Sequence, residues 1–272
     1  GHLIHVFHYS FKGDYQGAAA ANAQAVRHFE QTEGSLSLYL HPFLNHQLAC
    51  YIRLKNLEAG TNIIHQLNRK MEAGSFDWFV YQRLYFLLAM HSKDYELGQQ
   101  IIRRITSHRR FPYLPRTQSE KWTILQAYLY FLEKSGYIKQ AHPKRSGFRP
   151  KEFLKAVPLY SRDKRGLNVP ILVVSIIILL AGHHYQKAIE RIEALEKYQR
   201  KYLKLDDAYR SNCFIKMLAT LPPAGFHPKA AARKAEKHKK NLDQVPLPVA
   251  TQAFELEIIP YEDLWEMVLN LL

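Results

Sequence analysis

The longest apolar run of the chain, residues 169–181, is broken only by Ser175. No amphipathic face can be drawn on it, so it predicts a helix buried on all sides. It is 13 residues long, short of the roughly 18 to 20 that a membrane-spanning helix needs. Burial inside protein is expected, and membrane insertion is not. Gly182 stops this helix, and Tyr185, Ala188, Ile189, Ile192, Leu195 and Tyr202 return at helical spacing on one side of a second one. Its other side carries Glu193 before Lys197 and Glu196 before Arg200, the i,i+4 order that supports an exposed face. Residues 168–203 therefore form a helical hairpin that must find further protein to cover its apolar helix.

The chain repeats that hairpin. An aromatic or aliphatic residue just after a polar turn, followed three positions later by Ala or Gly, occurs at Tyr15/Ala18, Leu57/Gly60, Tyr95/Gly98 and Tyr185/Ala188; at Tyr137 the small partner slips to Ala141. Successive intervals are 42, 38, 42 and 48 residues. The small residue lets the second helix approach the first closely while the larger one wedges into the corner. Helices are expected at 3–11 with 15–30, 42–55 with 57–72, 77–91 with 95–108, and 117–134 with an ill-defined partner. Asp77 is the expected N-cap of one, and Thr117 with Glu120 the capping box of another. Residues 139–167 form a basic insertion holding a short helix at 150–159, which accounts for the longest interval. Asp206 or Asp207 is expected to cap a helix ending before Pro222, and Phe226 opens a sixth, degenerate unit whose helix runs over 228–242. Phe254, Leu256 and Ile258 alternate with Glu255 and Glu257, predicting an extended or edge-strand piece before a last helix at 262–271.

These features resemble tetratricopeptide-type repeats, in which a Gly-Asp-Tyr turn precedes an Ala three residues on. Lys12-Gly13-Asp14-Tyr15 with Ala18 matches best, and Lys93-Asp94-Tyr95 with Gly98 less well. The usual early Trp and closing Pro are missing from most units, and the period exceeds the family's ~34 residues. The resemblance covers residues 3–203 and implies an all-α, right-handed α-solenoid of about six antiparallel helix pairs with a C-terminal capping helix. The expected organisation is one continuous domain: helix pairs one to four over 3–138, the insertion over 139–167, pairs five and six over 168–245, and an acidic tail with the cap over 246–272. Gly1 and His2 read as an expression-tag remnant, and the rest as the C-terminal part of a longer cytoplasmic protein.

Composition adds charge to this picture. Lys and Arg number 38 against 24 Asp and Glu, a net charge of +14, which raises the prior for an acidic partner. After Lys240 there is no Lys or Arg, so the acidic tail is expected to pack against the basic body or neutralise it. Three basic clusters stand out: Arg103, Arg104, Arg109 and Arg110 after one helix; Lys144, Arg145, Arg149, Lys151, Arg162, Lys164 and Arg165 in the insertion; and Lys229, Arg233, Lys234, Lys237, Lys239 and Lys240 on the penultimate helix. Each alone is an ordinary solvated face. Together they allow a phosphate-tracking stripe, with Phe111, Tyr113 and Phe148 for base stacking. Tyr81 and Tyr128 lie in aromatic-rich helices, where helical spacing favours core and an inner-wall position would favour a ligand anchor.

No nucleotide-binding, zinc-protease, serine-hydrolase or paired-cysteine motif is present. Cys50 and Cys213 lie in apolar helical patterns as expected buried thiols, and His2, His5 and His8 lack a carboxylate to complete a metal site. No enzymatic activity, metal or cofactor is expected. The resemblance implies a protein-interaction or regulatory scaffold that binds a peptide or partner domain on a concave surface. Nucleic-acid binding through the basic clusters is the first alternative, and a structural module of a larger signalling protein the second.

Overall fold

The computed structural model describes residues 1–33, 40–139, 148–160, 168–203, 208–250 and 257–272. Among them every regular element is helical. They fall into two compact units, Gly1–Leu114 and Pro115–Leu272.

The first unit holds α1 (His2–Phe11), α2 (Tyr15–Glu33), α3 (Leu40–Leu54), α4 (Leu57–Lys70), α5 (Phe76–His91) and α6 (Tyr95–Thr106). Each helix packs on the next, and α3 also packs on α5. The second holds α7 (Arg116–Lys134), α8 (Pro150–Tyr160), α9 (Asn168–Ala181), α10 (Tyr185–Tyr202), α11 (Tyr209–Leu218), α12 (Pro228–Asp243) and α13 (Tyr261–Leu271). Here α9 is the hub. It packs against α7, α8, α10 and α13, so every residue from Asn168 to Leu180 is buried. Ser175, the one hydroxyl in its apolar run, donates to the Leu172 carbonyl at 2.7 Å and needs no outside partner.

One turn geometry recurs. The amide of Asp14 donates to the Tyr9 carbonyl, Asn56 to Tyr51, Asp94 to Ala89, Tyr137 to Leu132, His184 to Leu179 and Phe226 to Leu221. In each case the preceding residue, Gly13, Lys55, Lys93, Gly136, His183 or Gly225, has positive φ. A left-handed residue followed by this back-bond ends a helix and redirects the chain into the next. Gly suits that conformation, and at Lys55, Lys93 and His183 the helix pairing must offset the strain of a side chain there. In the first three turns the next helix is capped by the carboxylate or amide just named: Asp14, Asn56 and Asp94 accept from Gly17, Ala59 and Leu97 at 2.8, 3.1 and 3.0 Å.

The close approach inferred for the small residues is present. Ala18 and Ala188 are fully buried, a Cβ on Gly60 would run into Leu88, and one on Gly98 into Met90. The hydrogen bonds also correct the alignment at two units. In the fourth, the residue equivalent to Tyr15 is the buried Ile138, not the half-exposed Tyr137, which removes the slip to Ala141. In the sixth, Phe226 itself has positive φ and adds one turn residue, so the small position is the buried Ala231.

Three local expectations differ from the structure. Ser75, not Asp77, caps α5, its Oγ accepting from the Trp78 amide at 3.2 Å while Asp77 sits in the first turn. No capping box forms at Thr117: α7 starts after Pro115, and Glu120 pairs with Arg116 at 2.8 Å instead. Glu257 was expected on the polar side of an alternating stretch, yet it is fully buried, as are Ile258 and Ile259 beside it. Asp206, Asp207, Phe254, Glu255 and Leu256 lie outside the described residues.

Candidate functional site

The least expected surface is on α1. Its sequence has no Asp, Glu, Lys or Arg, and Val6 packs inward against Ala25 and Phe43. Leu3, Ile4, Phe7 and Phe11 do not follow it: they are 50, 73, 49 and 89% exposed. At i, i+4 and i+8, Leu3, Phe7 and Phe11 form one ridge with Ile4 beside it, an apolar surface that a soluble helix rarely leaves open.

The shared turn geometry shows what this face corresponds to. Asp14 and Asn56 occupy the same turn position 42 residues apart, so Ile4, His8 and Phe11 match His46, Cys50 and Arg53 of α3. Those three face α2, the second helix of the hairpin before. The Asn22 amide bonds His46 Nδ1 at 2.9 Å, Cys50 packs on Ala18 and Ala19, and the Arg53 guanidinium lies 4.8 Å over the Tyr15 ring. In α3 these three positions are covered; their counterparts in α1, Ile4, His8 and Phe11, are exposed, and Leu3 and Phe7 flank them at positions equivalent to Asn45 and Ala49.

The cluster around His46 looks chemical but is structural. His46 bridges Asn22 and Ser10 Oγ (3.2 Å), and Cys50 Sγ lies 3.6 Å from its Nδ1. Ser10 donates to the Val6 carbonyl and Asn22 to the Ala18 carbonyl. With Ser10's own proton committed to Val6, the ring donates from Nε2 and accepts at Nδ1. Burial pushes the Cys50 thiol up to about 12, against the opposing charge of Arg53, so it is not a nucleophile near neutrality. Burial, then Arg53, lowers the His46 pKa. The unfolded chain therefore takes up a proton below the ordinary histidine value near 6.5 while the folded one does not. Stability present above that value is lost as pH falls toward the folded pKa, by at most ~1.4 kcal/mol per pH unit. His46→Gln is expected to flatten this dependence, measured as melting temperature between neutral and mildly acidic pH; an unchanged slope would contradict the assignment.

The sequence-derived candidates separate. Tyr81 and Tyr128 are buried, with hydroxyls bonded to His41 Nδ1 (3.0 Å) and to the Pro170 carbonyl (3.2 Å); burial raises both phenol pKa values. They are core, and neither ring is open to a ligand. Arg110 pairs with Glu72 at 2.6 Å and Arg149 with Glu152 at 3.0 Å. Arg109 and Lys151 are exposed. Lys144, Arg145, Arg162, Lys164 and Arg165 lie outside the described residues. Of the stacking candidates, Phe148 leans on Tyr130 and Phe153, and Phe111 on Phe79, leaving Tyr113 exposed.

No protein-family model, curated protein or solved structure matches this chain. Among the described residues no three His, Cys, Asp or Glu side chains converge on a metal position, and no helix is long and apolar enough to cross a membrane.

A second cluster, missed at the level of sequence, anchors the C-terminal helix. Arg210 is fully buried and bonds Glu257 bidentately (Nε to Oε1 2.6 Å, Nη2 to Oε2 2.9 Å), Glu262 (2.7 Å) and the Val245 carbonyl (2.6 Å). Glu257 also accepts from the Tyr261 amide at 3.2 Å. Tyr261 stacks on Phe214 at 4.4 Å, its hydroxyl 3.0 Å from Ser211. Burial opposes the Arg210 charge, but Glu257 and Glu262 together raise its pKa above the ordinary value; burial raises that of Glu257, which Arg210 and the Tyr261 amide only partly offset. All of its polar contacts are internal, and its product is a fixed α13. The acidic tail thus does pack against a basic residue of the body, through Glu257 and Glu262.

Proposed function

We propose that this chain is a protein-interaction scaffold of the tetratricopeptide-like class, a right-handed α-solenoid that takes a partner by helix addition. The observation that carries the reading is the exposed α1 face of Ile4, His8 and Phe11, whose counterpart on α3 receives a helix. Six turns of one hydrogen-bonding pattern, with small residues at the helix crossings, support the repeat architecture. The occupant that fits is an amphipathic helix of a peptide or partner domain with Ala or Gly on its apolar side, as Ala18 and Ala19 stand on α2. Leu3, Ile4, Phe7 and Phe11 supply large apolar anchors, and α1 sets no charge against the newcomer.

The test is affinity purification of the protein, with and without nuclease, beside an Ile4→Asp/Phe11→Asp variant. Both positions are mostly solvent-exposed, so the variant is expected to keep its melting temperature. The reading predicts one stable, nuclease-resistant partner that the variant loses by at least tenfold. Equal recovery by both proteins, or loss of every partner on nuclease treatment, would overturn it.

A further inference from the structure

The face of α12 opposite the buried Ala231, Ala235 and Leu242 presents Lys229, Arg233 and Lys237, with Lys234 beside them, all exposed. None of the four has an ion pair among the described residues. Lys239 and Lys240 differ, being tied to Asp243 and Glu236 at 2.7 Å. Lys229, Arg233 and Lys237 follow one another at i, i+4 and i+8, a row about 6 Å apart along the helix at 1.5 Å rise per residue.

Such a row works against the fold. Like charges at i,i+4 destabilise a helix, and Lys229 sits in the first turn, where the helix dipole disfavours a cation. Ala231, Ala235 and Leu242 on the opposite side do the packing. A surface that opposes local stability, and whose own acid, Glu236, is already held by Lys240, points to a partner that supplies counter-charge.

The geometry points to a nucleic-acid phosphate backbone as that partner: α12 forms a docking surface that follows the polyanion without reading its sequence. An interfacial membrane helix must bury an apolar face in the lipid, and the apolar side of α12 is already buried against its own unit while its outer face bears no large exposed hydrophobic residue. The cations form an evenly spaced row, which suits the regular charge of a phosphate backbone rather than any one base edge, so no sequence preference is expected. This surface lies in a different unit from α1, and its test does not depend on the α1 reading.

The experiment is fluorescence anisotropy of the intact protein with a labelled oligo-dT strand and a mixed-sequence duplex across a salt series. Four phosphate contacts predict a log K against log salt slope of about −3.6 for the duplex and about −2.8 for the single strand. Lys229→Glu/Arg233→Glu/Lys237→Glu is expected to weaken binding at least tenfold with an unchanged melting temperature. A charge-matched control, Lys12→Glu/Arg104→Glu/Arg109→Glu, should lose less than threefold. The proposal is overturned if neither probe binds at low salt, if the control loses as much as the α12 variant, or if phosphatidylserine vesicles or polyglutamate bind the α12 face as tightly as the oligonucleotides.

Discussion

Ile177→Asp is expected to abolish the folded state of the Pro115–Leu272 unit. Ile177 is fully buried in α9, a helix enclosed by α7, α8, α10 and α13. Deleting a buried Ile side chain costs about 2–5 kcal/mol before any charge is considered. The new carboxylate would meet an apolar run whose only hydroxyl, Ser175, already donates within the helix, and an unpartnered buried polar group adds several kcal/mol more. The sum approaches the 5–15 kcal/mol that stabilises a typical domain. Ile177→Val, which removes one methylene, is expected to cost about 0.5–1.5 kcal/mol. Circular dichroism with urea titration separates the two variants, and an Asp variant that remains folded and soluble would contradict the placement of α9.

Arg210→Leu is the second large effect, with an expected loss of about 3–5 kcal/mol. The substitution leaves the Glu257 carboxylate buried without its cation, and breaking such a pair costs more than the pair contributes. Glu262 is partly exposed and can turn to water, so Glu257 carries most of the loss. Burial alone would then raise the Glu257 pKa still further above its unfolded value. A raised folded pKa means that the folded state holds more protons between the two values, so stability falls as pH rises through that window. The deficit of Arg210→Leu is therefore expected to shrink as pH is lowered toward the ordinary glutamate range. Adding Glu257→Leu should recover part of the loss at neutral pH, but not all, because the Val245 carbonyl and Tyr261 amide lose their partners. Urea denaturation at two pH values measures both effects; a pH-independent deficit would exclude the buried carboxylate as its source.

The helices were legible in the sequence because each carries its own signal. Continuous burial marks α9, and the turn between paired helices has a fixed chemistry that Lys12-Gly13-Asp14 and Lys93-Asp94 display openly. Polar groups placed by tertiary structure were not legible. Arg210 precedes Cys213, Phe214 and Met217 on a buried side of α11, yet a charged residue at such a phase reads as solvent-facing until the tail that brings Glu257 to it is seen. The same holds for His46, whose partners lie on two other helices. Tyr81 and Tyr128 sit at core phase, and burial settled between core and anchor. The open ridge of α1 was hidden for a different reason: Leu3, Ile4, Phe7 and Phe11 look like an ordinary core face, and only the fold shows that no described residue covers it.

The most direct test of the α1 account is cross-linking mass spectrometry of the protein with its affinity-purified partner, using a lysine-reactive reagent. Lys12 follows α1 immediately and is exposed, whereas the main lysine cluster of the described residues belongs to α12 in the second unit. The account predicts that partner cross-links concentrate at Lys12 and disappear in Ile4→Asp/Phe11→Asp. Cross-links centred on α12, or links to Lys12 that survive the double substitution, would contradict it.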